Sequence, residues 1–310
     1  MTSINPSVNP IAKNLIIYGV LWILFNNFIL CIQSATIKTL AASLHTFQII
    51  FIYKFVVFLC VIPWILYKGI GKIKTKKIHM HIIRAALSLT GGMLFTQGLK
   101  QLNLAESMAI AFTEPLFLSV LAILLLKEKY NKITLISILT GFVGALIVIR
   151  PGTTAFSSGA LWVLSASIVW AFDNLVIKQL GKTESSIQYV FYVSFFSTLF
   201  AAPFAFVKWQ TIPDAIEFTK AGILQGHSFN ISFILFTLAL YYFAHLLAVF
   251  RAFRYANLST LAPFDFSRLV ISSLIGYSIF NDKIDQWVVV GSIIIIASTA
   301  QIIWNKEHQK

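Results

Sequence analysis

The chain consists largely of long apolar runs, and each is close to the length that an α-helix needs to cross a lipid bilayer, about 20 residues. The runs lie near 15–37, 47–67, 82–99, 104–126, 132–150, 157–177, 187–207, 230–250, 258–280 and 286–304. They are too long, and alternate too little between apolar and polar residues, for the strands of a membrane β-barrel. The sequence therefore predicts an all-α polytopic membrane protein with about ten transmembrane helices.

The composition excludes a soluble protein. Of the 310 residues, 58% are hydrophobic and 11% are charged, whereas a soluble protein has roughly 25% charged residues. The net charge of +13 does not indicate nucleic-acid binding, because the basic residues fall in short loops between the apolar runs. We expect a lipid bilayer around the chain and no nucleic-acid partner.

One loop carries the strongest signal for orientation in the membrane. It follows the second apolar run and holds a cluster of basic residues: Lys68, Lys72, Lys74, Lys76, Lys77 and Arg84. Loops rich in Lys and Arg stay in the cytoplasm. The cluster therefore predicts that both termini are cytoplasmic. The alternative interpretation is that the cluster binds a lipid headgroup or a partner.

The two halves of the sequence resemble each other. At a constant offset, GVLWIL from Gly19 aligns with GALWVL from Gly159, and Pro63 then aligns with Pro203. We interpret residues 1–150 and 151–310 as two five-helix repeats, with an insertion in the second at KWQTIPDAIEFTKAGILQGHSFN. An odd number of helices makes the copies cross the membrane in opposite directions, and inverted repeats are a transporter architecture that suits alternating access.

The loops contain no pattern typical of a catalytic or cofactor site. We find in them no paired carboxylates, no Ser/His/Asp set, no Gly-rich phosphate loop and no Cys/His metal spacing. No enzymatic activity, cofactor or metal is therefore expected. The alternatives from another class are a membrane enzyme, which would need clustered catalytic groups, and a structural membrane protein, which would not need charges inside its spans.

Longer stretches resemble a known family. The first repeat contains IIRAALSLTGGMLFTQGLKQLNLAESMAIAFTEPLFLSVLAILLLKEK and closes with GFVGALIVIRPG. The second repeat contains FRYANLSTLAPFDFSRLVISSLIGYSIFNDK. These patterns are similar to those of the EamA-type drug/metabolite transporters. The resemblance implies ten helices, two inverted repeats, a central cavity and a place in the inner membrane of a bacterial cell.

Within that family, APFDFSRLVISSLIGYSIFND is similar to the ninth span of the S-adenosylmethionine uptake transporters of intracellular bacteria. The resemblance implies a small polar or zwitterionic metabolite as substrate, with S-adenosylmethionine as the specific expectation. An amino acid or another metabolite, moved outward, is the alternative. The sequence specifies neither the direction of transport nor the oligomeric state.

Two charges inside the spans hold matching positions in the repeats. Glu114 lies in the fourth run directly before Pro115, and the repeat alignment places Arg268 of the ninth run at the same position. We hypothesise that these opposite charges face each other across the cavity or hold the two ends of a zwitterionic substrate. A permanent structural ion pair, or no contact between them, is the alternative. Pro115 predicts a bend in the helix, since it leaves a backbone carbonyl without its partner.

Other polar and aromatic residues in the spans complete the predicted site, because ionisable groups in a membrane usually face a cavity or a partner. They are Lys54, Asp173, Asn174, Asp265, Gln33, Trp170 and Tyr53. Lys54 could pair with a carboxylate or extend to the membrane surface. Asp173 could line the cavity or lie in solvent near Lys178, and Asp265 could pair with Arg268. Glu114 and Asp265 are the candidates for proton coupling, with exchange as the alternative drive.

Overall fold

A computed structural model describes residues 10–126, 132–153, 156–180, 184–207, 209, 211–217, 228–255, 264, 267–283 and 285–308. The α-helices of the first half are α1 (Pro10–Leu40), α2 (Thr46–Lys68), α3 (Ile78–Leu99), α4 (Leu104–Ala111), α5 (Glu114–Leu126) and α6 (Lys132–Ile149). Those of the second half are α7 (Gly159–Leu180), α8 (Ser186–Val207), α9 (Ile231–Tyr255), α10 (Ser267–Phe280) and α11 (Gln286–His308).

Two short strands lie in the insertion of the second half. β1 (Ala215–Glu217) and β2 (Ser228–Asn230) pair in antiparallel register, with Ala215 opposite Asn230. A 3-10 turn at Ile70–Ile73 precedes α3. These elements lie between apolar helices, so they leave the all-α architecture of the bundle unchanged.

Helix length and hydropathy confirm a multi-pass membrane protein. Within the described ranges, six segments are long and apolar enough to cross a membrane: α1, α2, α3, α4 with α5, α7 and α9. Shorter apolar helices lie at Leu135–Ile149, Ser267–Phe280 and Gln286–Gln301. Large apolar side chains such as Leu124 and Phe233 are more than half exposed on the bundle, as expected for a surface covered by lipid. The count of ten spans stays a prediction.

Helix packing follows the internal repeat. α3 packs on α7, and α9 packs on α1. The sequence alignment relates α1 to α7 and α3 to α9, so these are the same contact formed in two copies. α2 packs on α8 and α6 packs on α11, so in these pairs each helix meets its own counterpart. Two similar halves related by a two-fold axis produce this pattern of contacts. The boundary between the halves at residue 150 stays a prediction.

Glycines allow the closest helix contacts. A Cβ atom added to Gly291 on α11 would lie 2.6 Å from the carbonyl oxygen of Gly144 on α6. A Cβ atom added to Gly159 on α7 would lie 3.2 Å from the carbonyl oxygen of Gly98 on α3. Small residues let helix backbones approach in membranes, where packing rather than the hydrophobic effect drives association. These contacts fix how the two halves are rotated against each other.

Candidate functional site

The fourth apolar run is broken in the interior of the bundle. α4 ends at Ala111 and α5 begins at Glu114, with Phe112 and Thr113 between them. Pro115 has no N–H group and cannot donate to the carbonyl of Ala111. The helix is therefore interrupted next to Pro115, as its missing N–H group predicts; the bend itself stays a prediction.

The carbonyls at this break are reached from the neighbouring repeat. The hydroxyl oxygen of Ser167 on α7 lies 3.4 Å from the carbonyl oxygen of Ile110 and 3.5 Å from that of Ala111. Thr113 also donates its hydroxyl to the carbonyl of Ile110 at 2.7 Å. A broken helix is tolerated at membrane depth where such groups satisfy its backbone, so packing against α7 stabilises the break.

Glu114 starts α5 at the break. Its carboxylate oxygen accepts a hydrogen bond from the side-chain amide of Asn174 on α7. The two candidates come from different repeats, and the fold brings them into direct contact. Glu114 is half-buried, so a carboxylate held by an amide faces the interior of the bundle.

Arg268 reaches the same break from α10. The central carbon of its guanidinium lies 4.2 Å from the centre of the Phe112 ring, two residues before Glu114. Its Nε is buried and has no hydrogen-bond partner among the described residues. The backbone carbonyl of Arg268 accepts from the thiol of Cys31 at 3.3 Å, which ties α10 to α1. The functional pairing of Glu114 with Arg268 stays a prediction.

A second charged cluster lies between α3, α7 and α8. Nε of Arg84 is 3.7 Å from a carboxylate oxygen of Asp173, and the two residues are 3% and 7% exposed. The guanidinium also stacks on the ring of Tyr189 at 3.7 Å and donates to its hydroxyl. The interpretation that Asp173 is solvated near Lys178 is therefore wrong, because α7 turns this carboxylate inward toward α3.

Arg84 is a buried charge that the predicted site does not include, although it lies in the IIRAALSLTGG motif of the third apolar run. Its charge suggests a place in the basic loop, but α3 begins at Ile78, and Arg84 is buried inside the helix. The signal that could have found it is its place at the start of the third apolar run, well beyond Lys77. Buried arginine in a membrane is costly and usually functional or paired.

Lys54 on α2 lies close to this cluster and is 1% exposed. Its ammonium group donates to the hydroxyl of Ser88 at 3.2 Å and to that of Tyr242 at 3.3 Å. In the described part of the chain it has no carboxylate within ion-pair distance, although its charge acts on Asp173. The interpretation that Lys54 extends to the membrane surface is wrong, since both hydroxyl partners are inside the bundle.

Aromatic rings surround the lysine. The ring of Tyr53 packs edge-to-face on that of Tyr242, with the centroids 5.0 Å apart, and Tyr53 is buried. The ammonium group of Lys54 lies 4.9 Å from the centre of the Tyr242 ring, within range of a cation–π contact. Tyr53 thus packs beside Lys54, on the side of α2 that faces α9.

The remaining candidates differ in position. Trp170 packs on Phe95, with the ring centroids 5.1 Å apart, and its ring covers Gly91, so it takes part in the contact of α3 with α7. The side-chain oxygen of Gln33 is buried without a hydrogen-bond partner among the described residues. Asp265 lies outside the described residues.

A polar chain connects α9, α1 and α10. Nδ1 of His245 lies 2.7 Å from the side-chain oxygen of Asn26, and the neighbouring Asn27 donates to the hydroxyl of Ser267 at 3.1 Å. Lys54, Arg84 and Arg268 all lie close enough to act electrostatically on His245. These three cations therefore lie within electrostatic range of one histidine, although they come from α2, α3 and α10.

A cavity of about 400 Å³ opens at one end of the bundle. Its lining includes Glu106, Arg150 and Asp282, and none of the predicted site residues. The ion pair between Lys38 and Asp282, 3.3 Å long, lies at the same end. The central cavity that the resemblance implies around Glu114 stays a prediction.

The sequence profile of the EamA-like transporter family matches residues 17–150 and 157–304. The chain belongs to this family. The match falls in two segments that correspond to the two halves of the fold. The family consists of transporters, so this EamA-like protein is a transporter and not an enzyme.

Individual relatives agree with that assignment. The chain is 28% identical over 289 residues to an S-adenosylmethionine uptake transporter of Rickettsia prowazekii (strain Madrid E), covering 93% of each chain. It is 25% identical over 288 residues to a riboflavin transporter of Vibrio cholerae, covering 92% of each. A crystal structure with 11% identity superimposes with a TM-score of 0.62 over 96% of this chain and 99% of that one, which shows the fold. This EamA-like transporter is thus a metabolite transporter.

Proposed function

We propose that this EamA-like transporter imports S-adenosylmethionine across the inner membrane by alternating access of two inverted repeats, with both termini in the cytoplasm. The similarity to the Rickettsia transporter over 93% of both chains supports this substrate. The structural observation that carries the proposal is the break between α4 and α5, where the carboxylate of Glu114 and the guanidinium of Arg268 are presented by different repeats. An exporter of amino acids or other metabolites is the alternative.

The chemistry of the substrate matches these groups. S-adenosylmethionine carries a sulfonium and an ammonium cation, a carboxylate and an adenine ring. A half-buried carboxylate at Glu114 attracts the cationic groups, and Asn174 orients it. Low dielectric in the bundle strengthens such an attraction relative to water. Asp265 remains a candidate for a second carboxylate.

The break also offers a place for movement. α5 is joined to α4 only through Phe112 and Thr113, so it can change its angle without loss of a continuous hydrogen-bond ladder. Substrate bound at Glu114 would then contact a helix that moves between inward-open and outward-open states. A carboxylate in this position is also suited to carry a proton in a proton-coupled transporter.

The test is uptake of radiolabelled S-adenosylmethionine into proteoliposomes that contain the purified protein. We expect saturable uptake by the wild type, loss of uptake in Glu114→Gln, and wild-type uptake in Asp214→Asn, whose carboxylate is exposed in a loop. An imposed proton gradient shows whether protons drive transport. Absence of uptake by folded wild-type protein would overturn the substrate, and riboflavin and an amino-acid panel would be tested next.

The role of Arg268 needs a separate experiment. If Glu114 and Arg268 form only a structural ion pair, exchanging them in the double variant Glu114→Arg/Arg268→Glu restores transport of the same substrate. If they bind opposite groups of the substrate, the exchange abolishes transport although the protein still folds. Size-exclusion chromatography and thermal unfolding of each variant separate loss of transport from loss of fold.

A further inference from the structure

The cluster around Lys54 contains more positive than negative charge. Lys54 and Arg84 are both cations, Asp173 is the carboxylate paired with Arg84, and all three are at most 7% exposed. The ammonium group of Lys54 donates to the neutral hydroxyls of Ser88 and Tyr242. Among these three residues, one positive charge therefore has no counter-charge.

The donors of Arg84 are also incompletely used. Its Nη2 donates to the hydroxyl of Tyr189, but Nε and Nη1 are buried without a hydrogen-bond partner among the described residues. Nε faces the oxygen of Asp173 at ion-pair distance, 3.7 Å, so Nη1 is the donor left without a partner of either kind among the described residues. A buried polar group without a partner is expensive, and a charged one more so. A protein can retain this free-energy cost at a binding site, because the ligand supplies the missing hydrogen-bond partner when it binds.

We infer that Lys54 and Arg84 bind the carboxylate group of the transported substrate. A single negative charge would neutralise the cluster, and a carboxylate can accept from a guanidinium and an ammonium group at the same time. The aromatic rings of Tyr53, Tyr189 and Tyr242 lie beside the two cations, with their centres 3.7 to 5.8 Å away. The inference deepens the proposed function, on which it rests, by assigning one functional group of the substrate to named residues.

The break at Glu114 is a poorer place for that carboxylate. Arg268 lies over Phe112, and the carboxylate of Glu114 follows two residues later, so the break has one charge of each sign, whereas the cluster around Lys54 has two positive charges and one negative. Asn174, which holds Glu114, directly follows Asp173 on α7. The same turn of α7 thus separates a cationic subsite for a carboxylate from an anionic subsite for the sulfonium and ammonium groups.

The test compares two ligands that differ only in the carboxylate, S-adenosylmethionine and decarboxylated S-adenosylmethionine. Each Kd is measured directly with radiolabelled ligand on purified protein in lipid nanodiscs. We expect the wild type to bind S-adenosylmethionine at least about tenfold more tightly. In Lys54→Met we expect that Kd to rise about tenfold, whereas the Kd of the decarboxylated ligand changes less than about threefold.

Two further variants keep the result interpretable. The double variant Arg84→Gln/Asp173→Asn removes the guanidinium without leaving a buried charge behind, and it should also lose the preference for the carboxylate. Lys132→Gln, which removes an exposed cation at the start of α6, should bind both ligands as the wild type does. Equal weakening of both ligands in Lys54→Met means a structural role and overturns the inference. Loss of the preference in Arg268→Gln, with Lys54→Met unaffected, overturns it as well.

Failure of the proposed substrate gives a different pattern. If the wild type binds neither ligand, S-adenosylmethionine is the wrong substrate, and the comparison is repeated with methionine and 3-(methylsulfanyl)propylamine. A preference for methionine that Lys54→Met removes supports the carboxylate subsite. Equal affinity for the two, or binding of neither, overturns it.

Discussion

Nε of Arg84 and a carboxylate oxygen of Asp173 lie 3.7 Å apart in the interior of the bundle, and this ion pair joins the two repeats through α3 and α7. Removing one partner leaves the other charge buried. We expect Asp173→Asn to lower the free energy of unfolding by about 3–5 kcal/mol. Chemical unfolding in detergent micelles measures the loss. The double variant Arg84→Met/Asp173→Leu should recover most of the stability; equal stability of wild type and Asp173→Asn would contradict the prediction.

Replacing Pro115 should stabilise the protein and slow transport. Pro115→Ala restores an N–H group that can donate to the carbonyl of Ala111, and a hydrogen bond of this kind contributes about 1 kcal/mol. We expect a higher Tm together with a lower rate of uptake, because a continuous helix resists bending. Pro63→Ala, a proline inside α2, is the matched control for stability alone. An unchanged rate in Pro115→Ala would show that the break is not needed for transport.

The contact of α6 with α11 should tolerate no side chain at Gly291. A Cβ atom there would lie 2.6 Å from the carbonyl oxygen of Gly144, so the helices must separate. We expect Gly291→Ala to destabilise the protein by about 1–3 kcal/mol. Gly71→Ala is the control, since nothing lies within 4 Å of a Cβ atom at that position. Thermal unfolding of the two variants is measured side by side, and Gly291→Ala should have the lower Tm. Equal Tm values would contradict the close contact between α6 and α11.

Asp282 should matter more for stability than its ion-pair partner. Its carboxylate accepts from the ammonium group of Lys38 at 3.3 Å and from the backbone N–H of Leu104, the first residue of α4, at 3.1 Å. Removing a carboxylate that caps a helix costs about 1 kcal/mol. We therefore expect a larger drop in Tm for Asp282→Ala than for Lys38→Gln, which keeps the cap. The reverse order would show that the ion pair dominates.

The orientation in the membrane can be tested at Lys76, which is exposed in the loop between α2 and α3. In a background in which Cys31 and Cys60 are replaced by serine, Lys76→Cys should react with a membrane-impermeant maleimide only after the cells are opened. In the same background, Asp214→Cys, next to the hairpin between α8 and α9, should react with the maleimide in intact spheroplasts. The opposite result at both positions would invert the predicted topology.

The basic loop also has contacts that its sequence does not indicate. The hydroxyl of Thr75 donates to Glu184 at 2.9 Å, and the side-chain amide of Gln188 donates to the carbonyl of Lys74 at 2.7 Å. These bonds connect the loop after α2 with the connection between α7 and α8. Local charge predicts the orientation of this loop, and that orientation stays a prediction. The packing partner of the loop is decided by how the repeats meet.

Residue type and spacing determined the class of the protein. Apolar runs as long as a bilayer is thick predict membrane helices, and a proline next to a glutamate predicts a break, because both are properties of a continuous stretch of chain. The similarity of the two halves predicted which helices are counterparts. The transporter family followed from motifs such as IIRAALSLTGG and GFVGALIVIRPG.

Only the tertiary structure decided which polar side chains meet. The sequence groups Arg84 with a basic loop and allows Lys54 several carboxylate partners. The structure places Arg84 beside Asp173, and Lys54 beside the hydroxyl of Tyr242. The physical reason is that a contact between distant helices depends on their rotation and axial position. Close packing at Gly98 and Gly159 sets both for α3 and α7, and no local pattern of hydropathy or charge encodes that geometry.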